Sequence, residues 1–432
     1  MTKLLKKISN KQAKIGIVGL GYVGLPLACE FAAAGFQVLG VDISHEKIAS
    51  LKKKVSYVLD VPTVRLKKLI DTGRMEFSSD YSLLRKADCI SIAVPTPLRK
   101  TKEPDVSYIV NSMAEIRKIL HKGMLIVLES TTYPGTTREL VAQVIEKSGF
   151  KVGTEILVAF SPERVDPGNP KYHTKNTPKV IGGITAACTE AACQLYSSVI
   201  DTVVKVDSAE EAEMVKLLEN TYRAVNIALV NEMALMCDRM GINIWNVISA
   251  AATKPFGFMS FYPGPGIGGH CIPLDPTYLS WKAKMFDFYN RFIELATDIN
   301  GNMPRFVLQK LARIMNREKI LLNGSKILLL GVAYKPDIND LRESPALEVY
   351  RLLRDVQASV DYFDPYVKTI REGGKIIKSI QLTAAAISKY DAVIVTTRHR
   401  ELDYELVLKH AGLIFDTRDA YHGIQDKKIH RL

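Results

Sequence analysis

Short apolar runs alternate with amphipathic stretches in the first and last thirds of the chain, and a long helical period separates them. Residues 14–19, KIGIVG, read as a buried strand ending in glycine, Gly24 to about Gly35 as a helix, and QVLGVDI from Gln37 as the next strand. Together these make one βαβ unit. Further apolar runs at CISIAVPTP (89–97), MLIVLEST (124–131) and EILVAFSPE (155–163) continue the series. Such runs separated by helical segments predict a parallel sheet covered on both faces. From Ala209 the period changes: AEEAEMVKLLENTYRAVNIALVNEMALMCDRMG has no glycine or proline until Gly241. Met214, Leu217, Leu218, Tyr222, Val225, Leu229 and Met233 hold helical spacing along it. A helix this long crosses a small domain and often joins two. A glycine- and proline-rich loop, YPGPGIGGHCIPLDP (262–276), follows, then more helical sequence to about Asn316. A second open sheet begins at Lys326 with KILLLGVAY and runs through ASVDYFDP (358–365), DAVIVTT (391–397) and GLIFDTR (412–418). The expectation is two α/β domains flanking a helical middle.

Length and composition narrow the class. A chain of 432 residues exceeds one ordinary core, so two or three domains are expected. With 47% hydrophobic and 24% charged residues it reads as a globular protein rather than a disordered or fibrous one. No run approaches the roughly 20 apolar residues of a membrane span. The basic start, MTKLLKKISNKQAK, leads into no apolar run long enough for a signal peptide, so a cytoplasmic location is expected. The net charge of +12 is spread along the chain, with local clusters at the N-terminus, at Lys52-Lys53-Lys54 and near the C-terminus. None is interleaved with aromatics as in a single-strand platform, and anionic small substrates such as nucleotide diphosphates suit the balance as well as nucleic acid does. Six cysteines lack C-x-x-C spacing, which argues against a disulfide framework or a zinc site.

The chemistry gathers at four places. Gly19, Gly21 and Gly24 form G-x-G-x-x-G at a strand-to-helix turn, and Asp42 follows 18 residues after Gly24 at the end of the next strand. The glycines admit a tight turn, close approach of a pyrophosphate and close helix packing, and the carboxylate suits a ribose and repels a 2′-phosphate, so NAD is expected over NADP. Pro95-Thr96-Pro97 and Glu129-Ser130-Thr131-Thr132 follow strands, where residues either face a ligand or make ordinary turns. Lys216 and Asn220, spaced i, i+4, are either oxyanion donors or a solvated stripe. Cys271 lies in Gly-Gly-His-Cys-Ile-Pro-Leu-Asp-Pro; burial is the default for a lone cysteine, but a glycine-rich loop in an NAD-binding chain favours a nucleophile. Asp275 is better placed than the adjacent His270 to return towards the thiol.

With these segments assembled, the chain resembles the UDP-glucose/GDP-mannose dehydrogenase family. The likeness runs in order through KIGIVGLGYVGLPLA, ESTTYPGTT, FSPERVDPGNP, KLLENTYRAVNIALVNE, GPGIGGHCIPLDP and GVAYKPDINDLRESPA. Only the extreme N-terminus and the tail after about Tyr421 fall outside it. The resemblance implies an α/β fold of two Rossmann-like doubly wound domains: an NAD-binding domain over 1–205, a central helical domain over 206–318 carrying the cysteine loop and dimer contacts, and a UDP-sugar-binding domain over 319–432. It places the active site in the cleft between the two α/β domains. It implies Cys271 as nucleophile, Lys216, Asn220, Asp275, Glu163 and Thr131 as its catalytic partners, and Gly19, Gly21, Tyr22, Val23, Gly24, Asp42, Pro95, Thr96, Thr131 and Arg342 around the cofactor. Glu163, Arg164, Lys216, Asn220, Gly268 and Lys335 would bind substrate. A UDP-sugar substrate, a homodimer or higher homo-oligomer, and no nucleic acid, membrane or metal complete the expectation, with a surface glycan as the destination of the product.

Two departures point within the family. UDP-glucose dehydrogenases carry lysine before the aspartate, where this chain has Leu274, and tend to have an acidic segment after P-E, where it reads Arg164-Val165-Asp166-Pro167-Gly168-Asn169. Both resemble the branch acting on UDP-2-acetamido sugars, and V-D-P-G-N-P is most similar to enzymes oxidising C6 of UDP-N-acetylglucosamine. UDP-N-acetylmannosamine, UDP-N-acetylgalactosamine and UDP-glucose are the alternatives. Oxidation of an alcohol to a carboxylate removes four electrons without release of aldehyde, and a thiol that traps the aldehyde and then carries a thioester meets that need. A two-electron β-hydroxyacid-type dehydrogenase needs no such cysteine, and a non-catalytic NAD- or nucleotide-binding regulator leaves the cysteine loop without purpose.

Overall fold

The computed structural model describes residues 1–58, 60–99, 103–166, 168–169 and 171–432. The chain falls into two compact units, Met1–Glu219 with Thr277–Phe286, and Asn220–Pro276 with Asp287–Leu432.

The first unit is built on strands β1 (Lys14–Val18), β2 (Gln37–Val41), β3 (Met75–Ser78), β4 (Cys89–Ile92), β5 (Leu125–Leu128), β6 (Leu157–Phe160), β7 (Lys179–Gly183) and β8 (Val203–Lys205). They lie in the order β3-β2-β1-β4-β5-β6-β7-β8. Neighbours are parallel except β6 and β7. Every residue of β4, β5 and β6 is buried, the signature of strands covered on both faces. One apolar layer, including Ile15, Ile17, Phe31 and Tyr196, covers one side, and another, including Val18, Ile90, Ile126 and Phe160, covers the other. Strand order reverses between β1 and β4, so their carboxyl ends diverge and leave a crevice for a ligand. The basic N-terminus is a helix, Thr2–Ser9, docked by buried Leu4 and Ile8 and by a Lys7–Asp88 ion pair of 2.5 Å.

In the second unit, β9 (Lys326–Leu330), β10 (Ser359–Phe363), β13 (Ala392–Val395), β14 (Ile414–Asp416) and β15 (Ile429–Arg431) form a sheet in the order β10-β9-β13-β14-β15. All its pairs are parallel. A hairpin of β11 (Thr369–Glu372) and β12 (Lys375–Lys378) stands apart from it. Alternate residues of β9 serve opposite cores: Leu329 packs with Val307, Tyr362 and Phe415, and Leu328 and Leu330 with Val393, Val395 and Ile414. The reversal falls between β9 and β13. The tail without a recognisable motif supplies β15.

Two helices depart from the simplest reading of the pattern. The long helix spans Ala209–Met240, as its spacing predicts. Its regular apolar stripe is largely exposed, however: Met214, Leu218, Tyr222, Leu229 and Met233 face outward. The buried positions are small or polar, among them Ala212, Glu213, Lys216, Asn220, Ala224, Ala228 and Asn231, with Leu217 the large exception. The stretch read as a loop over 262–276 becomes helical at Cys271, the first residue of a helix running to Lys284. Prolines suggested a loop, yet Pro273 sits in the first turn, where its missing N–H costs nothing, and only Pro276 interrupts the ladder. Among the described residues no helix is long and apolar enough to cross a membrane.

Candidate active site

Glycines shape the crevice of the first unit, and two of them tolerate no side chain. Gly19 has a φ of +90°, and a Cβ on Gly24 would overlap the Gly19 carbonyl oxygen. A Cβ on Gly21 would meet nothing within 4 Å, so that glycine borders open space. Tyr22 is exposed, and Val23 stands at the N-cap of the helix from Gly24 to Ala33, which begins beside this space. Asp42, 7% exposed, accepts from the N–H of Leu20 and of Ser44, each at 2.9 Å, and pairs with Lys47 at 3.0 Å. It thus fastens the glycine turn to the end of β2. A cradle that any Cβ would fill, beside a carboxylate at the next strand end, fits NAD. NAD when bound supplies a hydride acceptor.

Beyond β4, Pro95 is exposed and Thr96 is buried, with its carbonyl accepting from the Tyr278 hydroxyl. Beyond β5, Ser130 donates to Val94 O at 2.8 Å and the half-buried Thr131 follows. The rest of that loop is clamped by Glu213, a residue no sequence motif singled out. Its carboxylate accepts from Gly135 N (2.6 Å), Thr137 N (2.8 Å) and the Thr137 hydroxyl (2.7 Å). Burial outweighs these donors and pushes it up to about 7. Lys216 follows one turn later, 8% exposed. Beyond β6, Glu163 Oε1 accepts from the N–H of Arg164 at 2.8 Å and of Val165 at 2.7 Å. Arg164 forks onto Glu219 at 2.5 and 3.3 Å. Of the V-D-P-G-N-P segment, Pro167 and Pro170 lie outside the described residues.

In the second unit, Cys271 is the exposed thiol and the other five cysteines are buried. Asp275 lies one helical turn on, on the same face, 1% exposed, and accepts from Asn220 Nδ2 at 2.5 Å. His270 is held below its ordinary value by burial and by Arg342, so it is a neutral neighbour. The glycines before it allow close approach of Tyr334: a Cβ on Gly268 or Gly269 would come within 2.6 or 2.7 Å of that ring's side chain. The N–H of Gly269 donates to Arg342 O at 2.9 Å, and the exposed Arg342 side chain pairs with Asp340. Arg342 therefore shapes the cysteine loop through its backbone.

A cavity of about 620 Å³ opens at the second sheet's reversal. Lys335 beyond β9, Arg398 beyond β13 and Arg418 beyond β14 line it with Arg223 of the long helix, Gly268, Trp245 and Tyr262. The Trp245 and Tyr262 rings lie 15° from parallel with centroids 6.2 Å apart. Arg418 donates to Thr396 O at 3.0 Å, and burial pushes its guanidinium down to about 10, leaving it charged at neutral pH. Cations and aromatic faces in one cavity suit a nucleoside diphosphate. Only Lys335 and Gly268 were legible beforehand; the three arginines come from separated segments and carry no local signal.

The cradle and Asp42 give the first unit the features of a dinucleotide-binding Rossmann domain. Models of the UDP-glucose/GDP-mannose dehydrogenase family match its NAD binding domain to residues 13–200, its central domain to 210–302 and its UDP binding domain to 328–423, and the chain belongs to that family. A UDP-N-acetyl-D-glucosamine 6-dehydrogenase of Pseudomonas aeruginosa is 35% identical over 90% of this chain and 92% of its own. A UDP-N-acetyl-D-mannosamine dehydrogenase of Campylobacter jejuni is also 35% identical, over 91% of this chain and 97% of its own. The solved structure of a UDP-D-ManNAc dehydrogenase from Pyrococcus horikoshii superimposes with a TM-score of 0.89 at 31% identity, over 97% of this chain and 98% of that one.

Proposed function

We propose that this protein oxidises the C6 alcohol of a UDP-2-acetamido sugar, UDP-N-acetyl-D-glucosamine foremost, to the uronate through a covalent intermediate on Cys271. The observation that carries this reading is the exposed Cys271 at the first residue of its helix, one turn before the buried Asp275–Asn220 pair. A helix N-terminus favours the anionic thiolate, which is the nucleophile.

Asp275 takes the first proton from the C6 hydroxyl. The Cys271 thiolate bonds to the resulting aldehyde carbon, so the aldehyde stays on the enzyme as a thiohemiacetal until it becomes a thioester. Lys216 and Asn220 stabilise the oxyanion. Glu163 draws a proton from a water aligned by Thr131, the hydroxide oxygen bonds to the thioester carbon, and the C–S bond breaks to return the thiolate. The nucleotide rests against Lys335, Arg398, Arg418 and Arg223. Arg164 and Gly268 serve the sugar side, while Arg342 serves the cofactor side. Leu274 in place of lysine and the R-V-D-P-G-N-P segment support the acetamido sugar. The exposed stripe on Ala209–Met240 supports a homodimer, because monomers rarely leave so regular an apolar face in water.

The test counts NADH per sugar with UDP-N-acetylglucosamine, UDP-N-acetylmannosamine, UDP-N-acetylgalactosamine and UDP-glucose in parallel. Two per sugar, fastest with UDP-N-acetylglucosamine, is expected. Two per sugar with another donor moves the specificity and keeps the chemistry; one per sugar removes the thioester route.

A further inference from the structure

Beneath Glu163 lies an ion pair that none of the steps above uses. Glu129 follows β5 and is 1% exposed; Lys179 is the first residue of β7 and is 5% exposed. Lys179 Nζ stands 2.8 Å from Glu129 Oε2. The other oxygen, Oε1, accepts from the Tyr196 hydroxyl at 2.5 Å and from the Ser91 hydroxyl. The Tyr196 ring lies under the ammonium, 5.3 Å from its centroid. Lys179 also donates to Pro162 O at 3.4 Å, and its Nζ is 3.8 Å from Glu163 Oε2.

The placement follows from topology. Because β7 runs antiparallel to β6, with Phe160 opposite Gly182, the first residue of β7 comes out at the carboxyl end of β6. That is the edge of the sheet where ligands sit. A buried ion pair contributes little to stability over apolar residues of the same volume, so its presence at this edge asks for another role.

We propose that Lys179, held by Glu129, is a positioning residue for Glu163, keeping that carboxylate aimed for the hydrolytic step; this rests on the reading of Glu163 as the base. The two oxygens of Glu163 are differently engaged. Oε1 is occupied by the N–H groups of Arg164 and Val165, while Oε2 faces the ammonium at a distance that is electrostatic contact rather than hydrogen bond. Oε2 thereby gains a stabilising charge and keeps its capacity to accept a proton from water. Burial pulls the Lys179 ammonium down, but Glu129 and Glu163 outweigh it and the group lies above its ordinary value, so it stays charged. Arg164, a second cation nearby, is paired with Glu219, and its guanidinium also donates to Pro178 O at 2.8 Å.

Replacing Lys179 alone strands Glu129 as a buried charge and risks the fold, so the informative variant is the double Glu129→Gln/Lys179→Met, which removes both charges. It is compared with Glu163→Gln and Lys179→Arg, using NAD and whichever UDP-sugar the wild-type protein turns over. Acyl-enzyme is read by mass, and hydrolysis by the decay of that adduct. The double variant should keep KM and the initial NADH burst, accumulate acyl-enzyme and hydrolyse it on the order of 10–100-fold more slowly. Lys179→Arg should restore most of the rate. If Glu163→Gln traps acyl-enzyme while the double variant hydrolyses at the wild-type rate, Lys179 has no positioning role. If Glu163→Gln traps none, Glu163 is not the base and both readings fall.

Discussion

Alanine at Gly264 would act on the nucleotide cavity through one identifiable collision. A Cβ there would overlap Arg418 Nη1 and lie 2.7 Å from its Cζ. The backbone has no room to retreat, because Gly264 N–H donates to Asn231 Oδ1 at 3.0 Å, Asn231 Nδ2 to Asn300 Oδ1 at 2.9 Å, and Asn300 Nδ2 to Ala224 O at 3.0 Å. Both asparagines are buried, so breaking this chain leaves polar groups without partners. Arg418 must therefore yield and give up its bond to Thr396 O. If the guanidinium holds a phosphate of UDP, the loss is that of a charge-assisted hydrogen bond, about 1.5–3 kcal/mol, or roughly 10- to 150-fold in affinity. Calorimetric titration of UDP into wild type, Gly264→Ala, Arg418→Met and the double variant measures it, with NAD affinity and a thermal melt as controls. We expect UDP weakened by that factor and NAD unchanged. The double variant should be little worse than Arg418→Met, since methionine removes the collision. A folded Gly264→Ala protein that binds UDP within about twofold of wild type, or losses that simply add, would refute the reasoning.

Four further outcomes follow from the geometry. Gly24→Ala should lose both NAD binding and stability because its Cβ strikes Gly19 O, whereas Gly21→Ala, bordering open space, should lose NAD affinity with an unchanged melt; equal losses in the two melts would contradict this. Cys271→Ser should abolish release of uronate or stall as an ester seen by mass, and normal two-NADH turnover would remove the thiol from the chemistry. Asn220→Ala strips a partner from buried Asp275, so it should cost about 1–3 kcal/mol of stability and on the order of 10²–10³ in kcat; a wild-type kcat would contradict the oxyanion role. Glu213, raised to about 7 in the folded protein from about 4.3 in the unfolded chain, takes up a proton on folding across that window. Its contribution is full below about pH 4.3 and lost as pH rises through about 7. Wild type should therefore lose stability from pH 5 to 7.5 relative to Glu213→Gln, and denaturation curves with the same pH trend in both would rule it out.

What the sequence made legible is what local spacing encodes. Fully buried parallel strands are apolar on every residue, and the glycine turn must be glycine at fixed offsets, so β1, the following helix, β2 and Asp42 can be read directly. The cysteine could be picked out because it sits in a glycine-rich loop of a chain with a nucleotide-binding turn. What escaped depends on partners distant in sequence. Glu129 and Lys179 are 50 residues apart; Glu129 shows only as one of a run of polar residues after a strand, and Lys179 not at all, until the antiparallel β7 brings them together. The cations Arg223, Arg398 and Arg418 converge only when the second sheet reverses. The helix at Cys271 was hidden because glycines and prolines mark a turn and also mark the start of a helix.

The helix Ala209–Met240 shows most clearly why periodicity and burial are separate statements. Period 3.6 establishes that a stretch is helical and that its apolar residues share a face; it does not establish that the face turns inward within the same chain. Here the inward positions hold Glu213, clamping the Gly135–Thr137 backbone, then Lys216, then Asn220 on Asp275, and Asn231 on Gly264. Buried polar groups need fixed partners, and small neighbours such as Ala212, Ala224 and Ala228 let backbone approach closely enough to supply them. A helix that spends its inward face on such contacts has its large apolar residues left for the outward one. The same residues that made the helix easy to recognise are thus the ones that say least about its chemistry. The polar positions among them, first read as either donors or a solvated stripe, are decided by burial in favour of the interior.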